Sequence, residues 1–286
     1  MVGPVNATAL HSRQGVGPVL KWAGGKGQLL RQYAGHFPRS YRAYYEPFVG
    51  SAAVFFHLKP TARKRVRLSD INPELVNFYC TLRDRLEPLI RRLAEHQLLH
   101  CPEHYYAVRA LRTEELDPVE RAARLMYLNK TCYNGLYRVN SRGDFNVPVG
   151  RYKNPGINPE ERLRAASRAL EGVELEVAPF ASVLEHAREK DLVYFDPPYQ
   201  PLSPTSNFTS YTAASFSEAD QRRLAEIFRE LDRRGARVML SNSNAPLIQE
   251  LYAEYRPVHI QANRCINSKA NGRSKIVELL VTNFRR

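Results

Sequence analysis

A short apolar strand that runs directly into two prolines constrains this chain more than any other segment. Residues 192–195 are all apolar and predict a buried strand, which Pro197 and Pro198 must end because neither has an N–H for a sheet. Residues before prolines avoid the helical region, so Asp196 is expected to be extended. A carboxylate, a backbone carbonyl and the ring of Tyr199 then meet where ligands bind parallel sheets. This set suits a planar amine; a surface aspartate at a strand exit is the alternative.

Strand-like runs alternate with helical ones towards both ends of the chain, which predicts an α/β fold with a mostly parallel sheet covered on both faces. A helix is predicted over residues 217–234, where Ser217 can cap an apolar stripe at helical spacing. Two final strand-like runs joined by a polar turn predict a terminal antiparallel hairpin. The strand-like runs are 43–48, 66–69, 192–195, 237–240, 258–263 and 275–284.

The middle of the chain has a different character. Up to about residue 124 it is helical in pattern and rich in Arg and Glu, and a polar stretch dense in Asn, Gly, Tyr and Arg follows. We read residues 80–160 as an insertion between two halves of the sheet domain, which are residues 19–79 and 161–286. Residues 1–18 lack the apolar segment of a signal peptide and are expected to form a loose tail.

The charge of the chain indicates a polyanionic partner. The 286 residues carry a formal net charge of +13, and Lys and Arg bind phosphate with release of counterions. A generally basic proteome or a solubility effect is the alternative explanation. No apolar run approaches the length of a membrane span.

The cysteines and histidines favour an intracellular protein without a bound metal. Cys80, Cys101, Cys132 and Cys265 show no paired spacing, which predicts reduced thiols. His96, His100 and His104 recur every four residues, but Pro102 interrupts the helix that would align them. We therefore predict no metal site.

A glycine turn and a later acid are typical of a nucleotide site. Gly50 follows the strand-like run 43–48, and Asp70 follows the next run twenty residues later, where it can accept from both ribose hydroxyls. A structural turn and a helix-capping aspartate are the alternative. Upstream, Lys26 lacks the Ser or Thr that follows the lysine of a phosphate loop, so an NTPase of that type is disfavoured.

Together these segments resemble DNA adenine-N6 methyltransferases of the Dam family, the D12 class with alpha-type motif order. The similarity covers about residues 19–284, and its motifs come in the family's order: residues 21–26, 46–53, the insertion, and 196–199. Three further segments are also very like Dam proteins: 134–138, 142–148 and 207–209.

The resemblance implies a Rossmann-like sheet that uses S-adenosylmethionine as methyl donor. One departure is that some relatives carry an Asp-Phe pair where this chain has Pro179-Phe180, so the acidic contact to the cofactor's adenine amine is left unassigned. The residues implied to bind the cofactor are Trp22, Lys26, Phe48, Gly50, Asp70, Phe180 and Asp196.

For catalysis, the resemblance implies that Asp196 and the carbonyl of Pro197 hold the N6 amine of an adenine flipped out of duplex DNA, with Pro198 and Tyr199 completing the segment. The target is expected to be GATC, and a longer site beginning GAT is the alternative. A phosphate clamp is the alternative role for Arg138. The residues expected to contact DNA are Lys21, Asn134, Leu136, Arg138 and Pro148.

The function predicted is thus a site-specific, adenine-specific DNA methyltransferase, expected to be a cytoplasmic, nucleoid-associated monomer. A cognate restriction endonuclease is a candidate partner. Two alternatives stay open at this point: an RNA or protein amide methylase, and a DNA-binding protein that has lost catalysis. The basic insertion argues against the first, and the presence of Asp196, Tyr199, Asp70 and Lys26 argues against the second.

Overall fold

The computed structural model describes residues 16–22, 24–60, 63–202, 216–262 and 276–285. Seven strands in these ranges form a sheet: β1 (Tyr44–Glu46), β2 (Val66–Asp70), β3 (Glu174–Val177), β4 (Leu192–Phe195), β5 (Arg237–Ser243), β6 (Val258–Ala262) and β7 (Ile276–Thr282). Their order is β3-β2-β1-β4-β5-β7-β6, and β7 runs antiparallel to both β5 and β6 while the other pairs are parallel. The predicted α/β class and the terminal antiparallel pair are confirmed.

Ten α-helices connect and cover these strands in the described part of the chain. They are α1 (Leu30–Tyr33), α2 (Ala53–Leu58), α3 (Pro73–Asp84), α4 (Leu86–Leu98), α5 (Pro102–Ala110), α6 (Pro118–Thr131), α7 (Glu160–Ala169), α8 (Val183–His186), α9 (Glu218–Arg233) and α10 (Pro246–Leu251). The predicted cap of α9 is present: Ser217 and Asp220 satisfy each other's backbone N–H groups in a capping box.

The sheet separates two apolar cores, as expected for a sheet that is covered on both faces. Strand β4 shows this directly, because its side chains alternate between the faces: Tyr194 packs into the core that includes α3 and α6, whereas Val193 and Phe195 pack into the core that includes α9 and α10. All four residues of β4 are buried. The carboxyl end of β4, where the two prolines follow, is therefore held from both sides.

Helices α4, α5 and α6 lie in the predicted insertion and pack together next to α3. Helix α3 is continuous across the boundary placed at residues 79/80. Beyond α6, the insertion is mostly irregular, with isolated bridges that pair Cys132 with Val149 and Val139 with Phe145. The division into domains stays a prediction.

Some predictions fall on parts of the chain that are not described. Residues 1–15 of the predicted tail, the segment 207–209, the turn between β6 and β7, and Cys265 lie outside the described residues. In the described ranges, no helix combines the length and the apolar character that crossing a membrane requires.

Candidate active site

A cavity of about 520 Å³ opens at the carboxyl edge of the sheet. Its walls come from the ends of β1, β2 and β4, from the chain after β3, from the first turn of α9 and from the segment before α1. The volume lies in the usual range for small-molecule and cofactor sites. The residues that line it include Trp22, Lys26, Glu46, Phe48, Gly50, Asp70, Pro179, Phe180, Asp196, Pro197, Pro198, Tyr199, Phe216, Asp220 and Arg223.

The carboxylate of Asp196 is fixed through one of its two oxygens. Lys26 Nζ lies 2.7 Å from Oδ1, and the Ser241 hydroxyl donates to the same oxygen at 2.8 Å. Ser241 is itself held by Tyr194, whose hydroxyl lies 2.9 Å from it. Both contacts use Oδ1, so among the described residues Oδ2 is left for a ligand, and Asp196 keeps 18% of its side chain exposed.

Lys26 is buried beneath this carboxylate, with 2% of its side chain exposed. Its ammonium also donates to the carbonyl of Gly24 at 2.6 Å and lies 4.7 Å from the centre of the Tyr199 ring. Tyr199 in turn donates to Glu278 at 2.6 Å. Lys26 therefore lines the cavity as predicted for a cofactor residue, but its polar contacts in the structure are with the protein, and they position Asp196 and Tyr199.

The predicted Gly50–Asp70 pair meets directly. Gly50 has a φ of +46°, a left-handed conformation that favours glycine, and its N–H donates to Asp70 Oδ2 at 3.2 Å. The N–H of Asn72 donates to Oδ1 at 3.0 Å. Burial nevertheless raises the pKa of Asp70 to about 6, against the effect of these N–H groups. A Cβ on Gly50 would lie 3.0 Å from Trp22 Cδ1, so the glycine also allows the tryptophan to approach.

Aromatic rings form one end of the cavity. Phe48 and Phe180 stack with ring centres 5.4 Å apart, and Phe216 meets Phe48 edge-on at 5.8 Å. These distances are those of aromatic rings in direct offset and edge contact. The two phenylalanines predicted to bind the cofactor, Phe48 and Phe180, are thus brought together.

Glu46, at the end of β1, is a buried acid that the sequence reasoning missed. It is 2% exposed, and the hydroxyl of Tyr44 donates to it at 2.7 Å. Burial, assisted by the nearby negative charge of Asp196, raises the pKa of Glu46 to about 8. Its signal in the sequence is a lone acid within the strand-like run 43–48.

Ser241 and Glu278 were missed as well, although both leave a trace in the sequence. Ser241 opens a polar Ser-Asn-Ser-Asn run directly after the apolar part of β5, which is the neighbour of β4. Glu278 is a lone acid within the apolar strand β7. Polar groups at these places need partners, and their partners are Asp196 and Tyr199.

The segment that lines the cavity also contacts the insertion. The amide of Asn129, in α6, accepts from the N–H of Lys21 at 2.8 Å and donates to the carbonyl of Lys21 at 2.6 Å. The ring of Trp22 stacks on Tyr137 with centres 5.2 Å apart. The side chain of Lys21 lies against Gly135, where a Cβ would come within 2.5 Å of it.

Four of the five residues predicted to contact DNA lie in one stretch of the insertion, and the fifth, Lys21, lies against this stretch at Gly135. Asn134 is exposed and has a φ of +56°, and Arg138 is exposed with its Nε donating to Asn146 at 2.7 Å. Leu136 is half-buried and Pro148 is exposed. Next to Asn134, the sequence reasoning passed over Tyr133, an aromatic side chain that is 54% exposed.

The predicted helix break is present, since α4 ends at Leu98 and α5 begins at Pro102. His96 lies on α4, His104 lies on α5, and His100 lies between the two helices. The structure still brings two of them together, with His96 Nδ1 3.0 Å from His104 Nε2, while His100 contacts Tyr127. Among the described residues, no group of three or more His, Cys, Asp or Glu is placed to hold a metal ion.

A sheet with one reversed strand near its edge, and a cavity at the carboxyl ends of its parallel strands, is the architecture of an α/β methyltransferase. The sequence comparison then specifies the family. Residues 22–266 match the D12 class N6 adenine-specific DNA methyltransferases, and the chain belongs to this family.

Named relatives agree over nearly the whole chain. The type II methyltransferase M1.LlaDCHI of Lactococcus lactis subsp. cremoris is 44% identical, with 93% of this chain and 95% of the relative covered. The type II methyltransferase M.MjaIII of Methanocaldococcus jannaschii is 43% identical, with 94% and 99% covered. The DNA adenine methylase of Escherichia coli K12 is 38% identical, with 91% and 93% covered. The predicted family and enzyme class are therefore confirmed: the chain is an adenine-specific DNA N6-methyltransferase.

Proposed function

We propose that this enzyme transfers a methyl group from S-adenosylmethionine to N6 of an adenine that has flipped out of duplex DNA, within GATC. The observation that carries the proposal is the geometry of Asp196. Its carboxylate stands at the carboxyl end of β4 beside the cavity, and Lys26 and Ser241 hold it through Oδ1 alone.

The cavity suits S-adenosylmethionine, which would supply an electrophilic methyl group. Phe48 and Phe180 offer apolar faces for an adenine ring, and Asp70 offers a carboxylate for ribose hydroxyls. Gly50 brings its backbone close to the same place, and Trp22 closes the cavity beside it. These contacts would bind and orient the cofactor without a metal ion.

The chain's own contribution to the reaction is to hold the amine. Asp196 Oδ2 and the carbonyl of Pro197 can accept the two N6 hydrogens, which draws the nitrogen lone pair out of the ring and towards the methyl group. The carbonyl of Pro198 already accepts from Gln221 at 3.0 Å, whereas no hydrogen bond from the described residues occupies that of Pro197. Tyr199 would stack on the flipped base, its ring fixed through Glu278.

Recognition of GATC would fall to the insertion, residues 80–160, as the domain division predicts. Arg138 can form the bidentate contact to guanine, and Asn134 and Leu136 can reach the neighbouring bases. Pro148 can pack on a thymine methyl group, and Lys21 can reach an outer guanine. The bond from Arg138 to Asn146 would hold the guanidinium ready for this contact.

The relatives' names bear on the biological role. Two are named type II methyltransferases, which supports a restriction endonuclease of the same site as a cognate partner. Others are named DNA adenine methylase, so a role without such a partner is the second candidate. In both cases the enzyme would act as a monomer on DNA in the nucleoid of the cytoplasm.

The test is transfer of tritium from labelled S-adenosylmethionine to three duplexes, containing GATC, GATATC, or GATC whose adenine already carries an N6-methyl group. Label in the first and none in the third is the expected result. Label in GATATC alone would contradict the GATC assignment and leave the chemistry intact.

The variant Asp196→Ala tests the mechanism. It should abolish transfer while retaining DNA binding in a gel-shift assay. Near-normal turnover by this variant would rule out Asp196 as the group that holds the amine.

A further inference from the structure

The aromatic end of the cavity carries one carboxylate that none of the steps above uses. Asp220 lines the cavity from the first turn of α9, in the same wall as Phe180, Phe216 and Arg223. The guanidinium of Arg223 lies 6.0 Å from the centre of the Phe180 ring, so the helix and the aromatic pair adjoin each other. Among the described lining residues, Asp220 is the fourth acid, after Glu46, Asp70 and Asp196.

Each of the other three acids is bonded to neighbouring groups of the protein. Glu46 is bonded to Tyr44, Asp70 is bonded to the backbone beside Gly50, and Asp196 is bonded to Lys26 and Ser241. Of the four acids in the described lining, Asp220 alone lies on α9, the helix whose Arg223 adjoins the Phe180 ring. An adenine that packs against these rings needs an acceptor for its 6-amino group, because a buried donor without a partner is costly.

One carboxylate oxygen of Asp220 can accept a hydrogen bond from a ligand. The N–H and the hydroxyl of Ser217 both donate to Oδ2, at 2.8 and 2.7 Å. Within the described ranges, these bonds leave Oδ1 without a partner. They also hold the pKa of Asp220 below its ordinary range, so the carboxylate is ionised at neutral pH. Pro179, the lining residue before Phe180, has no polar side chain that could take this role.

We propose that Asp220 is the residue that recognises the cofactor's base, with its free oxygen accepting a hydrogen bond from the 6-amino group of the adenine held by Phe48 and Phe180. This inference rests on the proposed use of S-adenosylmethionine. Its consequence is selectivity: a nucleoside with a carbonyl in place of the amine would place an oxygen against the carboxylate and be rejected.

The experiment compares S-adenosylhomocysteine with S-inosylhomocysteine, which has a 6-oxo group in place of the amine, by calorimetric titration of the DNA-free enzyme. The wild type should prefer the adenosyl ligand by about ten- to a hundredfold. In Asp220→Asn the amide can donate to the 6-oxo group, so the preference should fall towards one or reverse.

Two variants separate recognition from helix capping. Ser217→Ala removes the two capping bonds of the hydroxyl, keeps the bond from the backbone N–H to Asp220, and keeps the carboxylate. It should therefore weaken both ligands equally and leave the preference intact. Glu218→Gln removes a charge from the same turn of α9 at a position outside the cavity lining, and should change neither affinity. A purely structural role for Asp220 would make Ser217→Ala and Asp220→Asn behave alike.

The outcomes are distinguishable from failure of the proposed function. If the wild type binds the adenosyl ligand but Asp220→Asn keeps the full preference, Asp220 does not recognise the base and only this inference falls. A wild type that binds neither ligand would overturn the use of S-adenosylmethionine, and this inference with it.

Discussion

Glu46 makes a contribution to the stability of this enzyme that depends on pH, and Glu46→Gln should remove this contribution. Burial raises the pKa of Glu46 from 4.5 to about 8 in the folded protein. Between those pH values the folded state holds a proton that the unfolded chain has released. Folding is therefore linked to proton uptake, and the stability falls as the pH rises from 4.5 to 8.

The magnitude follows from the size of the shift. One pKa unit corresponds to about 1.4 kcal/mol, so the full shift of Glu46 corresponds to roughly 5 kcal/mol lost between the two limits. Between pH 5.5 and 7.5 the loss should be about 2.7 kcal/mol, since the slope is about 1.4 kcal/mol per pH unit. Glutamine keeps an acceptor for the Tyr44 hydroxyl and has no proton to lose.

The measurement is urea unfolding of the ligand-free wild type and of Glu46→Gln at pH 5.5, 6.5 and 7.5. With each rise of one pH unit, the unfolding free energy of Glu46→Gln should increase by about 1.4 kcal/mol relative to that of the wild type. Glu189→Gln is the matched control: Lys190 lowers the pKa of this exposed carboxyl, so its difference from the wild type should be flat. A flat difference for Glu46→Gln as well would refute the reasoning.

Three further predictions concern the cavity. Ser241→Ala removes one of the two bonds to Asp196 Oδ1 and should lower kcat by about tenfold with little change in cofactor affinity, measured by steady-state kinetics and ligand titration. Asp70→Asn should weaken S-adenosylhomocysteine binding at pH 7.5. In the wild type the affinity should fall below pH 6, where Asp70 is protonated, whereas the affinity of the variant should not change there. Gly50→Ala forces a Cβ at positive φ against Trp22 and should cost about 1–2 kcal/mol in thermal unfolding.

Features of this fold that depend on adjacent residues can be predicted from the sequence, whereas features that depend on contacts between distant segments cannot. Strand β4 and the cap of α9 follow from adjacent residues, and both are confirmed. Strand β3 was not predicted because its sequence, Glu-Leu-Glu-Val, is only four residues long, half of it charged, and lacks the apolar run of a buried strand. It is stabilised from outside the segment, as Arg65 and Arg67 of the neighbouring strand region bond to Glu174.

The same division holds in the site. The Asp-Pro-Pro-Tyr segment is visible in the sequence because it is short. The Gly50–Asp70 spacing is visible because it spans one regular strand–helix–strand unit. The contacts of Asp196 with Lys26 and Ser241 join residues far apart in the chain. Such pairs depend on strand order, which the sequence pattern left open, so Ser241 could be suspected only as a polar residue after a strand.

The segment from Lys21 to Lys26 connects the insertion with the cavity. Its first residue is clamped by Asn129 of the insertion, Trp22 stacks on Tyr137, and its last residue holds Asp196. A displacement of the insertion would move this short segment and with it the ammonium that fixes Asp196 Oδ1. A misplacement of about 1 Å in a reacting group can lower the rate a hundredfold. Asn129 is not among the residues that line the cavity. Substitutions at Asn129 should nevertheless impair turnover, and they should impair it more than cofactor binding.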